Sequence, residues 1–260
     1  MKSVIIPLNA FDINAVLKNG QISFIKLIAE SGAYGVEVRR ELFSNGNYPL
    51  ELLRKEIENH LLFTVYSAPI ELWKQDGTLN REGLEQIFQE ASRLGASWVK
   101  VSLGHYIDKI SNLDELKQFL NTKDQLKLLV ENDQTPYGGS IRNVKVFIEK
   151  AFRMGVPVNI TFDMGNWVFT NENVYEALAE LKDYIVYIHL KSVVQKNKRL
   201  ITIPLSHDLD AEWRKIVQHF SCDLPKALEF PIESSKQLNE YIKMVGNNKD
   251  YEEGDLICKS

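Results

Sequence analysis

The stretch Ile185-Val186-Tyr187-Ile188-His189-Leu190-Lys191 is an apolar β-type run with an imidazole inside it and an ammonium at its end. A buried strand of this kind seldom carries an ionisable residue without a partner, because desolvating a lone charge is costly. Three other runs repeat the arrangement and each ends on an acid: LLVE at 128–131, ITFD at 160–163 and ALE at 227–229. Glu131, Asp163, His189 and Glu229 therefore sit late in four successive apolar segments. One shared partner for all four is the economical reading, and a divalent cation suits it best.

Outward from these four runs, β-type segments recur at 4–8, 35–38, 62–66, 98–103, 126–130, 158–162, 185–190 and 226–230. Between most of them, apolar residues fall at helical spacing. Phe24, Leu27 and Ile28 form one stripe; Leu84, Ile87, Phe88, Ala91 and Leu94 a second; Val144, Phe147, Ile148 and Ala151 a third. Gly32, Gly95 and Gly155 stand where helices stop, and Asn80, Asn112, Asn171 and Ser234 where helices start. Eight strands alternating with helices, with no Pro/Gly/Ser-rich linker, predict an α/β fold: one closed (β/α)8 TIM barrel over residues 1–246, followed by a polar tail at 247–260. The alternative is an open doubly wound sheet, which commonly carries a glycine-rich first loop. The first turn here is Asn9-Ala10-Phe11-Asp12, without GxGxxG or GxxxxGK[ST], which argues against a nucleotide-binding fold.

Composition narrows the partners. The 260 residues are 44% hydrophobic and 25% charged, with a net charge of −4 and no basic stripe, so no nucleic-acid surface is expected. Nothing approaches the ~18 apolar residues of a membrane helix, and Val4–Ile6 before Pro7 is too short for a signal-peptide core. Cys222 and Cys258 have no metal-ligand spacing and define no disulfide framework, so a cytoplasmic location is the default. The sequon Asn159-Ile160-Thr161 falls in a core strand and reads as chance.

In a TIM barrel, chemistry gathers at the C-terminal ends of the strands. The four ionisable residues fall on strands five to eight, which are neighbours about 4.8 Å apart. Three carboxylates and an imidazole suit Mn²⁺, Mg²⁺ or Co²⁺, with Zn²⁺ admissible. A plainer reading makes the acids salt-bridge partners of Arg39, Lys100 and Lys191. Lys191 shares a strand face with His189, and these cations either receive an anionic group or neutralise the acids. Glu37 shares a face with Arg39 and pairs with it on the same plain reading. Trp73 and Trp167 follow strands on the active face, where aromatics stack on a sugar or close the barrel. The loop 134–140 leads into a helix N-terminus of the kind that receives a phosphate, a weak signal. His60, His105, His207 and His219 lie in polar contexts and are expected to be solvated.

Strand-end Glu, Asp, His and Glu in this order resemble the xylose isomerase-like (AP endonuclease family 2) TIM barrels, which include sugar epimerases, hydroxypyruvate isomerases and endonuclease IV. The resemblance runs through VEVRRELF at 36–43, SAPIELW at 67–73, VKVSLG at 99–104, LVENDQTP at 129–136, TFDMGNW at 161–167 and YIHLK at 187–191. It is strongest to the sugar epimerase/isomerase group of bacterial 2-ketogluconate utilisation. It implies a metal held by Glu131, Asp163, His189 and Glu229, and an isomerase that moves a proton through an enediolate with Glu131 and Glu229 as its acid–base pair. The expected substrate is a small sugar or keto sugar acid, with or without a phosphate, bound by Glu37, Arg39, Ser67, Trp73, Lys100, Asn166, Trp167 and Lys191; a homo-oligomer is compatible with it. The chain departs from the family pattern at Asn166 and Ser67, where many relatives carry histidine, and at Ser192, where many carry aspartate. The extra ligands of the three-zinc endonucleases are missing. Two rival readings stay open: a metal-dependent dehydratase or lyase on a hydroxy-keto acid, and a sugar-binding barrel without turnover.

Overall fold

A computed structural model describes residues 3–43, 46, 48–123 and 125–246. Eight parallel strands close into a barrel: β1 (Val4–Pro7), β2 (Gly35–Arg39), β3 (Phe63–Trp73), β4 (Trp98–Gly104), β5 (Lys127–Glu131), β6 (Val158–Asp163), β7 (Ile185–Leu190) and, closing onto β1, β10 (Lys226–Leu228). Between the last two barrel strands lies an antiparallel hairpin of β8 (Ser192–Lys196) and β9 (Arg199–Ile203). The helices are α1 (Ile13–Asn19), α2 (Ile25–Glu30), α3 (Leu50–Asn59), α4 (Arg81–Leu94), α5 (Leu113–Leu120), α6 (Ile141–Arg153), α7 (Met164–Phe169), α8 (Val174–Leu181), α9 (Glu212–Val217) and α10 (Ser235–Gly246). The expected barrel is the observed one. The expected polar tail at 247–260 lies outside the described residues.

Period-two alternation makes two surfaces from each strand. Val36, Val38, Val99, Val101, Leu128, Val130, Ile160, Phe162, Ile188 and Leu190 are buried in the large core that includes the buried faces of the helices. α4 contributes Leu84, Ile87, Phe88, Ala91 and Leu94, and α6 contributes Val144, Phe147, Ile148 and Ala151, as their spacing predicts. The alternate residues form a smaller cluster of Ile5, Val65, Leu129, Tyr187 and Ala227, which plugs the lower barrel. One residue pair further along each strand, the same side turns polar, with Glu37, Ser67, Glu131 and His189. The apolar plug ends where the ionisable layer begins.

Asn80, Asn112 and Ser234 accept backbone N–H bonds at helix starts as expected. Gly32, Gly95 and Gly155 take positive φ after helices. Asn171 does not start a helix: it adopts φ 59° beyond the end of α7, and Asn173 caps α8 instead. α2 buries Ile25 and Ile28, whereas Phe24 ends a preceding 3-10 turn and packs on Phe11. β3 runs past its expected end, with a register irregularity between Ser67 and Glu71. None of the helices among the described residues is long and apolar enough to cross a membrane.

Candidate active site

Glu131 and Asp163 are the last residues of β5 and β6, His189 is the penultimate residue of β7, and Glu229 follows β10 directly. Register brings them level: Asp163 pairs with His189, and the Glu229 amide donates to Leu190 O at 3.0 Å. One ligand atom from each lies within 4.8 Å of all the others. Glu131 and Glu229 line a pocket of about 510 Å³, whose wall also includes Asn9, Arg39, Gln134, Asn166, Lys191 and Thr202, while Asp163 and His189 are buried behind it.

The cations named from the sequence are in the same place. Lys100 Nζ donates to both oxygens of Glu131 at 2.8 Å and lies 3.1 Å from Glu37. Lys191 Nζ donates to Glu229 at 2.8 Å and lies 2.6 Å from Asp163 Oδ2. Arg39 donates to Glu37 at 2.8 Å and to Glu229 at 3.1 Å. The salt-bridge reading and the ligand reading thus apply to the same residues. Gly165 is part of this design, because a Cβ there would fall 2.5 Å from Lys191 Cγ.

His189 is fully buried between carboxylates. Its Nε2 is 2.9 Å from Glu37, and its Nδ1 is 3.0 Å from Glu131 and 3.1 Å from Glu229. Burial and Lys100 oppose its protonation, but Glu37, Glu131 and Glu229 outweigh them and push it up to about 9. Burial raises the Asp163 carboxyl to about 7 against the pull of Lys191, with Glu229 and Glu131 adding to the rise. Burial also works against ionised Glu229 and Glu37. Lys191, His189 and Arg39 nevertheless hold Glu229, and Lys100, His189 and Arg39 hold Glu37, well below the usual carboxylate range.

The donor set fits a divalent cation. His189 Nδ1 and Asp163 Oδ2 are buried without a hydrogen-bond partner, the nearby ammonium of Lys191 lying close to Oδ2 without hydrogen-bond geometry. In the metal-free protein the raised affinity of His189 for a proton keeps Nδ1 protonated towards the acids. A cation that displaced this proton would meet the Nδ1 lone pair while Nε2 stays bonded to Glu37, the usual carboxylate–histidine arrangement behind a metal. This group of residues is able to hold a metal ion.

Other expected site residues are placed differently. Trp73 and Trp167 are fully buried, Trp73 edge-on to Tyr106 and Phe147 and Trp167 against Phe162, so neither offers a face to a sugar. They close the shell around the barrel. Glu37 and Lys100 are also closed off from solvent and act from beneath the pocket. Ser67 is buried beside Arg39 and Lys100 in strand register. Asn166 borders the pocket, but both ends of its amide are engaged, with Asn132 O and Gln134. The start of α6 is occupied by Glu172, whose carboxylate accepts from the Ile141 amide. Among the histidines expected to be solvated, His105 is instead stacked on Tyr137, with ring centroids 3.6 Å apart.

Asn9 was legible only as a turn residue. Its Nδ2 donates to Glu229 Oε1 at 3.1 Å, while its buried Oδ1 has no partner. Thr202 reaches the pocket from the hairpin, an element that sequence periodicity did not reveal.

No protein-family model and no curated protein sequence matches the chain. Solved structures do match. The IolI protein with a bound zinc atom aligns with a TM-score of 0.67 at 14% identity, over 94% of this chain and 98% of that one. A probable 3-DHS dehydratase, AsbF, involved in petrobactin synthesis in Bacillus anthracis, aligns at 0.62 and 13%, over 95% and 99%. L-ribulose 3-epimerase aligns at 0.62 and 13%, over 94% and 86%. The fold is the closed (β/α)8 TIM barrel that these structures share.

Proposed function

We propose that this chain is a divalent-cation-dependent epimerase or isomerase of a small sugar or keto sugar acid in the cytoplasm, working by proton transfer next to a carbonyl. The observation that carries the reading is the convergence of Glu131, Asp163, His189 and Glu229 beside the pocket, with Nδ1 and Oδ2 buried and engaged only in ion-pair contacts. A bound cation, Mn²⁺, Mg²⁺ or Co²⁺ before Zn²⁺ on the balance of oxygen donors, supplies Lewis-acid polarisation of a substrate carbonyl.

The chain's own residues do the rest. Glu131 and Glu229 come from the outer two of four consecutive barrel strands, and a substrate between them presents one glutamate to each side of the reacting carbon. Glu229 is a weak base while Lys191, Arg39 and Asn9 donate to it. A substrate carboxylate draws Arg39 and Lys191 towards itself and returns basicity to Glu229, so binding arms the base. This favours an acid over a neutral sugar. One glutamate removes the proton and the other returns it for epimerisation, whereas a single glutamate carries it between carbons for isomerisation. The epimerase and zinc-bound proteins that share the fold support this reading by analogy.

The test is a screen of ketoses and keto sugar acids for uptake of solvent deuterium at carbon, run with saturating divalent metal. Exchange by the unaltered protein is expected, with losses of about 10²–10⁴-fold in both Glu131→Gln and Glu229→Gln, the range of a general base. Full activity in either metal-loaded variant overturns the two-glutamate assignment. Release of a 2-keto-3-deoxy acid makes the enzyme a dehydratase, and zero exchange into a sugar shown to bind favours a binding barrel without turnover.

A further inference from the structure

Asn132 follows Glu131, at the point where the backbone of β5 leaves the sheet. Its side chain continues the strand pairing in place of the backbone. Nδ2 donates to Asp163 O at 2.9 Å, and Oδ1 accepts from the Asp163 amide at 2.8 Å. The carboxamide has the donor and acceptor of a peptide group, so it extends the β5–β6 ladder by one rung. Asn132 is fully buried and is not part of the pocket wall.

The next contacts close a ring. Asp163 Oδ1 accepts from the amides of Gly165 and Asn166, both at 2.9 Å. Asn166 Nδ2 donates back to Asn132 O at 2.8 Å. Each side chain of the three therefore holds the backbone of the next: Asn132 holds Asp163, Asp163 holds Asn166, and Asn166 holds Asn132. All three are buried, where such bonds are strengthened and a missing partner is costly. With its backbone clamped and Oδ1 committed, Asp163 has one oxygen left. That oxygen, Oδ2, makes no hydrogen bond but lies 2.6 Å from the Lys191 ammonium, on the side where His189, Glu131 and Glu229 converge.

We infer that Asn132 is a positioning residue for the cation site: with Asn166 it forms a closed three-residue frame that fixes the direction of Asp163 Oδ2 and its spacing from Glu131. This rests on the cation-site reading above. An ordinary turn asparagine would stabilise the loop and leave cation affinity alone. A positioning residue changes affinity and coordination geometry, and loss of such an outer partner typically weakens a site about 10–100-fold.

The test uses the full chain and Co²⁺ as probe, with dissociation constants from calorimetry and the visible absorption of the bound ion as the geometric signature. Asn132→Ala removes both bonds to Asp163. Asn132→Asp keeps the shape and the acceptor but sets an oxygen against Asp163 O, and it serves if the alanine variant does not fold. Asn166→Ala breaks the third side of the ring without touching the Asp163 clamp. Asn173→Ala is the control, an asparagine whose side chain also makes two backbone bonds, both as acceptor, but at the start of α8. Expected are a 10–100-fold weaker site with an altered Co²⁺ spectrum in both Asn132 variants, a smaller loss in Asn166→Ala, and an unchanged site in Asn173→Ala. Unaltered affinity and spectrum in a folded Asn132 variant overturn the inference while the cation site stands. A wild-type protein that takes up no Co²⁺ overturns both.

Discussion

His189 has a carboxylate against each ring nitrogen, and that arrangement ties the stability of the metal-free protein to pH. It titrates near 9 when folded, against an ordinary value of about 6.5. Its charged form therefore adds stability that is complete below about 6.5 and lost as pH rises through 9. Asp163, raised to about 7 by burial, acts in the same direction, and its contribution disappears as pH rises through 7. Glu37 and Glu229, held low, contribute a constant amount across that window. Melting of chelator-treated protein should thus shift to lower temperature between about pH 7 and about pH 9. A flat or rising profile over that range contradicts the charge arrangement. The four ionisable residues were legible because an acid or a histidine in an apolar run is conspicuous. Asn9 and Asn132 were not, because a neutral amide after a strand reads as a turn residue whether or not it supports a site. The burial of Trp73 and Trp167 was equally hidden, since an aromatic past an apolar run, whether it ends a longer strand as Trp73 does or enters a helix as Trp167 does, faces the pocket or the helices with the same local sequence.

Among the elements, the barrel strands and the long helices follow from periodicity, and the misses have local causes. α7 has six residues and is started by Asp163, which had already been assigned to the site. Too short to show a stripe, it displaced the expected helix start from Asn171 to Asn173. The hairpin was hidden because its strands carry lysine, arginine and glutamine, and its turn is Asn197-Lys198, both at positive φ, where glycine is the usual second residue. Residues 194–200 are all exposed, so this arm stands clear of the barrel while Thr202 at its base meets the pocket. A two-stranded arm of this kind is marginally stable alone. Brief trypsin treatment should cut after Lys196, Lys198 or Arg199 and leave the barrel with a single cooperative unfolding transition. An arm that resists cleavage under conditions that digest the barrel contradicts its independence.

At the scale of the whole molecule, the fold explains why the site is where it is. An apolar plug of Ile5, Val65, Leu129, Tyr187 and Ala227 fills the lower barrel, so the inward positions above it can carry charge that the pocket partly hydrates. Closure of β10 onto β1 and β7 brings Glu229 beside residues from the first half of the chain, Asn9 and Arg39, which no sequence spacing would pair. The (β/α)8 order was legible from composition and alternation. The pairing of every acid with a cation depends on closure in three dimensions, and it leaves both the salt-bridge and the cation reading compatible with the same residues. Equilibrium dialysis against Mn²⁺ with elemental analysis separates them most directly. The account predicts about one ion per chain in the wild type and a sharp loss in folded Asp163→Ala and His189→Ala, because a site built for four ligands holds poorly with three. Equal metal content in the wild type and both variants would contradict it and leave the cluster as a network of buried salt bridges.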